Sequence, residues 1–255
     1  MSHISDVKPQ RLSALADSVV GVRYRRAEGV FADTTLDRVR FDEVLSGLPV
    51  REFRSYRGRK HYSGWYFSST TGGHVVYESR LELGRILLAD QDPGVVGIAA
   101  QPFVLEGFDG ERIRRHVPDL LLEHVGGGLT IVDVKPARRC GDPKVVAQFA
   151  WTGSLCAAYG LGFEVWSGCD PVWLENIRFL AGYRRKDLID PAVVSLVRET
   201  VAGEWRIGDL ERALDAPARR ALVRPAVLHL LWSGALIADF SRPLDGESVV
   251  GPVLS

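Results

Sequence analysis

Apolar residues in this chain keep two different rhythms. Between about residues 60 and 166 they come mostly in short runs rich in β-branched and aromatic side chains. From about residue 171 onward they recur at helical spacing. Residues 62–68 are aromatic and β-prone, and Thr71-Gly72-Gly73 is a turn signal. A hairpin returning through His74-Val75-Val76 is therefore predicted. Leu81, Leu87 and Leu88 predict a helix from about residue 77 to 89, with Glu78 and Glu82 one turn apart, stopped by Asp92-Pro93-Gly94. Residues 95–98 and 103–105 read as one long or bent strand around Pro102. Phe108-Asp109-Gly110 is a turn, residues 113–123 are a second strand breakable at Pro118, and residues 129–135 are a third. Asp142-Pro143 has the form of an N-cap followed by proline at the first helical position. Val145, Val146, Phe149, Leu155, Cys156 and Tyr159 give that helix its apolar stripe, Gly160 ends it, and residues 163–166 form a fourth strand. The element order is αβββαβ.

The pattern then changes. A short helical stretch over 172–183 is followed by three amphipathic helices, at 191–201, 207–214 and 222–234. A strand at 236–240, a turn at Pro243-Leu244-Asp245-Gly246 and a return strand at Val249-Val250 complete the chain. Three helices followed by a β-ribbon is the plan of a winged helix. Residues 1–50 carry one helical pattern, Leu36, Val39, Val44 and Leu45, closed by Pro49. The expected organisation is an N-terminal extension (1–50), an α/β core (51–170) and a winged-helix-like α+β domain (171–255).

A chain of 255 residues, 46% hydrophobic and 25% charged, has the composition of an ordinary globular protein. Its 32 basic and 32 acidic residues cancel, which counts mildly against strong nonspecific nucleic-acid binding. The charge is unevenly spread, however. Arg51, Arg54, Arg57, Arg59, Lys60 and His61 crowd one segment. Arg112, Arg114, Arg115 and His116 precede Asp119, and Arg138, Arg139 and Lys144 follow Lys135. Cys140, Cys156 and Cys169 show no paired spacing, so a reducing compartment is expected and no disulfide framework. The N-terminus lacks an apolar signal core, and the stretch from 225 to 240 is too short and interrupted to span a bilayer. The expected location is the cytoplasm, with no membrane partner.

The chemistry concentrates in Asp133-Val134-Lys135, which closes the apolar run Leu129-Thr130-Ile131-Val132. Pro118-Asp119 opens the preceding run, Leu120-Leu121-Leu122, and Gly126-Gly127-Gly128 lies between. The spacing is that of a hairpin. Residues two apart on a strand share a face, so Asp133 and Lys135 are expected on one face with Val134 turned into the core. Two carboxylates beside one lysine suit a divalent metal and a water nucleophile attacking a phosphodiester. The helix before them offers a further carboxylate, Glu78 or Glu82, and spacing alone does not choose. Arg57, Arg59, Lys60, Arg114 and Lys144 are candidate DNA contacts, and Gln148 sits one turn from Lys144. His74 and His116 could approach metal or DNA, but a lone histidine is more often structural or exposed, and neither is counted in the site. Trp65, Tyr66, Trp151 and Trp166 are assigned to the core rather than to base stacking. No phosphate-binding Gly-x-x-x-x-Gly-Lys loop is present, and no cofactor-binding residue beyond the metal set is expected.

These motifs, in this order, resemble the PD-(D/E)xK nuclease superfamily. More narrowly, Ser79-Arg80-Leu81-Glu82, Val95-Val96-Gly97-Ile98 leading to Gln101-Pro102-Phe103, Pro118-Asp119, and Asp133-Val134-Lys135-Pro136 resemble the TnsA family, the endonuclease subunit of Tn7-like heteromeric transposases. The resemblance covers about residues 55–170. It implies a restriction-endonuclease-like core and a Mg2+-dependent (or Mn2+-dependent) DNA endonuclease. Glu82, rather than Glu78, joins Asp119 and Asp133 as metal ligands, and Lys135 is the catalytic lysine. At the position of Asp133 the best-known family member has Gln. The family nicks transposon 5′ ends beside a DDE-type transposase, and its C-terminal region contacts an AAA+ ATPase regulator. The rival expectations are a stand-alone nuclease of the same fold in restriction, repair or phage defence, and a noncatalytic DNA-binding adaptor.

Overall fold

The computed structural model describes residues 19–51, 62–216 and 220–253. The architecture is mixed α/β. The described residues fall into two compact units, one within 1–83 and 95–168, the other within 84–94 and 169–255. The division passes through helix α2. Among the described residues no helix is long and apolar enough to cross a membrane.

The first unit contains β1 (Gly21–Arg25), β2 (Phe31–Thr35), α1 (Phe41–Leu45), β3 (Gly64–Phe67), β4 (His74–Tyr77) and the start of α2 (Arg80–Gln91). After these come β5 (Val95–Ala100), β6 (Phe103–Phe108), β7 (Ile113–His116), β8 (Leu120–His124), β9 (Leu129–Val134), α3 (Pro143–Ala158) and β10 (Gly162–Trp166). Two four-stranded sheets form, in the orders β2-β1-β6-β7 and β10-β9-β8-β5, with β3–β4 a separate hairpin. All pairs are antiparallel except β9 and β10, which α3 connects. Phe103 and Leu105 of the first sheet, Leu121 and Ile131 of the second, and Trp151, Leu155 and Cys156 of α3 share one buried cluster.

The expected bent strand across 95–105 is two strands in two different sheets. Gln101, at φ 45°, turns the chain, and Pro102 offers no N–H to continue a ladder. The expected strand across 113–123 divides in the same way at Val117-Pro118-Asp119, β7 in the first sheet and β8 in the second. Glycine or proline at a strand corner is a common device for sending a chain from one sheet to the next. Residues 19–35 also differ from expectation. They form a hairpin whose β1 pairs with β6, with Val22 and Tyr24 inward and Arg23 outward. The helix anticipated around 36–45 is only the five-residue α1.

The second unit contains α4 (Pro171–Leu180), α5 (Pro191–Thr200), β11 (Trp205–Arg206), α6 (Ile207–Ala213), α7 (Arg220–Trp232), β12 (Leu236–Ala238) and β13 (Val249–Pro252). The strands form an antiparallel sheet in the order β11-β13-β12. Helices α3, α4 and α5 begin alike: Asp142, Asp170 and Asp190 each cap their own helix, followed by proline at the first position. Asn176 of α4 is buried and holds the β12–β13 connection. Its amide nitrogen donates to the carbonyls of Phe240 (3.0 Å) and Arg242 (2.7 Å), and its oxygen accepts from Leu244 N–H (3.0 Å).

Removing one partner of a buried hydrogen bond costs the desolvation of the group left behind, about 1–3 kcal/mol. Asn176→Ala strands three backbone groups at once and is expected to destabilise the protein by about 2–4 kcal/mol. Urea unfolding of the two proteins measures the difference.

Candidate active site

The residues predicted to carry chemistry gather at one end of the β8–β9 pair. Leu120 and Val132 are the last pair in register there, so Asp119 immediately precedes the ladder and Asp133 immediately follows it. The Asp119 N–H donates to the Val132 carbonyl at 3.1 Å, and the Val134 N–H donates to Asp119 Oδ2 at 2.7 Å. The carboxylate thus takes a ladder position that a backbone carbonyl would otherwise fill. The Lys135 N–H donates to the Trp166 carbonyl at 2.9 Å, carrying the β9–β10 pairing one residue beyond the strand.

Glu82 arrives from the first turn of α2. Ser79 Oγ accepts the Glu82 N–H at 3.1 Å and donates to Glu82 Oε1 at 2.9 Å, while the Glu78 N–H donates to Glu82 Oε2 at 2.8 Å. The Ser79 carbonyl accepts the Leu83 N–H at 3.1 Å. This is a capping-box arrangement, with serine and glutamate satisfying backbone donors at the helix start. It sets the start at Arg80 rather than at about residue 77. Glu78 therefore precedes the helix, and the two glutamates do not share a helical face.

Electrostatics tie the set together. The Asp119 carboxyl is pushed up to about 7. Burial is the main cause, the Val134 N–H opposes it, the charges of Glu82 and Asp133 add to it, and Lys135 opposes it. Glu82 is also raised, chiefly by burial, against its hydrogen bonds to Glu78 N–H and Ser79 and the pull of Lys135. Asp119 thus lies in the field of all three other residues.

Asp133 is placed differently from expectation. It is 1% exposed and Val134 6%, so β9 buries both faces and Val134 is not alone in the core. Both Asp133 oxygens contact His116 Nε2, at 2.8 and 2.9 Å. Burial pushes the nearby Cys156 thiol up to about 12, and the Asp133 charge adds to that shift. His116 was assigned no role in the site from sequence. The available signal was strand alternation, because it stands opposite inward-facing Leu105 on β6.

The candidate DNA contacts separate. Arg114 is largely buried against the Asp109 carboxylate, so its charge is already neutralised. Lys144 is exposed in the first turn of α3, and Arg138 and Arg139 are exposed just before it. Arg57, Arg59 and Lys60 lie outside the described residues. Gln148 folds back along its own helix, donating to Thr152 Oγ1 at 3.3 Å. Tyr66, Trp151 and Trp166 are core residues as expected. Trp65 is not: it is 64% exposed on β3, its ring meeting the edge of His74. Neighbouring residues on a strand face opposite ways, so the hairpin buries Tyr66 and leaves Trp65 outside.

No protein-family model matches the chain, and a search of the curated proteins finds no match either.

Among the described residues, no three His, Cys, Asp or Glu side chains stand close enough together to hold a metal ion as placed. The donor chemistry of Glu82 and Asp119 does fit a hard divalent cation. These are oxygen ligands whose charged forms are disfavoured by burial and by neighbouring carboxylates, Glu78 for Glu82 and Glu82 and Asp133 for Asp119, a cost that a cation would relieve. Asp133 is committed to His116 in this arrangement.

The buried Asp119 makes stability depend on pH. The folded state keeps its proton up to about pH 7, whereas an unfolded aspartate releases it near 4. The folded state therefore binds more protons across that window, and this contribution to stability falls as pH rises from about 4 to 7. Asp119→Asn keeps an acceptor for Val134 N–H and removes the titration. Its Tm in metal-free buffer is expected to exceed that of the wild type at pH 8, with the advantage shrinking toward pH 4.5. Thermal melts across that range test it; a pH-independent difference would refute the buried-charge account.

Proposed function

We propose that the first unit is a metal-dependent DNA endonuclease of the PD-(D/E)xK type. On this reading the chain is a TnsA-like subunit of a Tn7-like transposition system, hydrolysing phosphodiester bonds at transposon 5′ ends. The observation that carries the reading is the environment of Asp119, a buried carboxyl raised to about 7 beside Glu82 and Asp133, with Lys135 as the opposing cation. Topology supports it. Helix α2 is followed in the second sheet by β5, β8 and β9, then by α3 and the parallel strand β10, with β6–β7 an excursion into the first sheet. That is the αβββαβ order of a restriction-endonuclease-like core.

Glu82 and Asp119 would hold Mg2+, or Mn2+ in its place. Such an ion, when bound, neutralises phosphate charge and acidifies water. The capping hydrogen bonds fix the Glu82 carboxylate, and Val134 N–H fixes that of Asp119, so neither needs to reorganise to act. Lys135 lies in the field of both and serves to steady the attacking water or the charge developing on the phosphate. Arg138, Arg139 and Lys144, exposed just beyond Lys135, suit the DNA backbone.

In the second unit, the order α5, β11, α6, α7, β12, β13 with sheet order β11-β13-β12 supports a winged helix. Its central helix α7 is poorly suited to reading DNA. Val223, Ala226, Val227, Leu228, Leu230, Leu231 and Trp232 are buried, and Arg224 makes a two-pronged pair with Glu211. This favours a unit that docks on protein partners, the AAA+ regulator and the DDE-type transposase, over one that reads DNA.

Nicking of supercoiled DNA with Mg2+ or Mn2+, with and without the partner transposase, tests the reading. Asp119→Ala and Lys135→Ala are each expected to lower the rate by about 10²-fold or more. Glu82→Gln, which can keep the helix cap, is expected to do the same, and Glu78→Gln to leave nicking intact. Cleavage that survives both Asp119→Ala and Lys135→Ala would overturn the assignment.

A further inference from the structure

Gln101 combines two unfavourable features at one position. Its φ of 45° is the only positive value at a non-glycine residue among those described. Left-handed backbone is sparsely occupied by side chains other than asparagine and aspartate. Gln101 is also 3% exposed, and its amide oxygen Oε1 is buried with no hydrogen-bond partner among the described residues. A buried acceptor without a donor is unfavourable, and few are kept in native proteins.

The backbone does not require this side chain. The Gln101 N–H donates to the Asp119 carbonyl at 2.9 Å, and the Gln101 carbonyl accepts the Val50 N–H at 3.1 Å. A glycine would make both bonds without the left-handed penalty. Glutamine's extra feature is the amide, which is unsatisfied as it stands. One backbone hydrogen bond away is Asp119, the hub of the candidate site. Strain and unmet polar groups persist where a working site needs them.

We propose that the Gln101 side-chain carbonyl is a neutral oxygen ligand for the divalent cation held by Glu82 and Asp119. The proposal rests on the nuclease reading above. Hard cations take amide carbonyl oxygens alongside carboxylates. A neutral ligand raises the donor count without adding a fourth negative charge to Glu82, Asp119 and Asp133. It also comes from the corner between β5 and β6, where the Gln101 backbone is tied to Asp119.

The test is Mn2+-dependent stabilisation of the whole chain, followed as Tm against metal concentration. Gln101→Met keeps the length and the backbone strain but removes the oxygen. Its metal-free Tm is expected to equal or exceed the wild-type value, and its Mn2+ midpoint to rise about tenfold or more, the size of effect seen when a metal site loses a supporting group. Gln101→Glu restores an oxygen and is expected to bring the midpoint back to wild type or below. A Gln101→Met protein with a lowered metal-free Tm and an unchanged midpoint would show a purely structural glutamine and overturn this proposal alone. A wild type with no Mn2+ response that Asp119→Asn abolishes would overturn the nuclease reading and this proposal together.

Discussion

Two chain corners, lying side by side, hold this site in place. At Gln101-Pro102 and at Pro118-Asp119 the chain crosses between the two sheets of the first unit, and the corners are tied by the Gln101 N–H on the Asp119 carbonyl. Each corner is flanked by fully buried side chains, Phe103 and Leu105 on one and Leu120, Leu121 and Leu122 on the other. Burying each such side chain is worth about 1.5–3 kcal/mol. That is enough to hold one strained φ and a carboxylate in a place where neither would settle alone. The hydrophobic core thereby fixes the corners, and the corners fix the direction of Asp119.

The same geometry explains how three acids are tolerated close together. Each is answered by a different group. Asp119 accepts Val134 N–H and lies near Lys135; Glu82 accepts Ser79 and Glu78 N–H; Asp133 takes His116 across from the first sheet. The answers are unequal. Asp133 has both oxygens engaged and almost no exposure, whereas the hydrogen bond to Asp119 from Val134 N–H falls on one oxygen, Oδ2, in the field of its charged neighbours. The charge deficit therefore accumulates on Asp119, which is the group best placed to change partner. Glu82 does two jobs with one carboxylate, since the bonds that start α2 also set the direction its oxygens face.

Much of this was legible in the residue pattern because packing and periodicity agree there. The runs at 120–122 and 129–132, separated by three glycines, could hardly be other than a hairpin, and that spacing alone brought Asp119 to Asp133 and Lys135. The Asp-Pro start of α3 was equally plain. What stayed hidden depended on tertiary context. Glu78 and Glu82 could not be separated by spacing; the separation comes from Ser79, whose hydroxyl starts the helix between them. Apolar runs on either side of Pro102 looked continuous because strands of different sheets share one composition, and only the backbone at Gln101 separates them. The β1–β2 hairpin does alternate, but Arg23, Arg25 and Asp33 break its apolar signal. Trp65 was misread because a tryptophan's bulk argues for burial, while the strand's alternation puts it outside.

Charge pairing bears on how such a site would find DNA. Counterion release drives nonspecific binding only when cations are available to phosphate. Many arginines here are answered locally: Arg26 by Glu43, Arg185 by Asp187, Arg206 by Glu247 and Arg224 by Glu211. Exposed pairs of this kind add little to stability, about 0–1 kcal/mol each. Their larger effect is to flatten the surface potential locally, and over the whole chain the 32 charges of each sign cancel. On the proposed reading, a nuclease with its charges balanced in this way would have little long-range pull on DNA of its own. Its cutting would then be governed by whatever brings the substrate to Asp119. In the second unit α7 is largely buried and its Arg224 is already paired with Glu211. On the proposed nuclease reading, delivery by a protein partner would be the step that selects where the site acts.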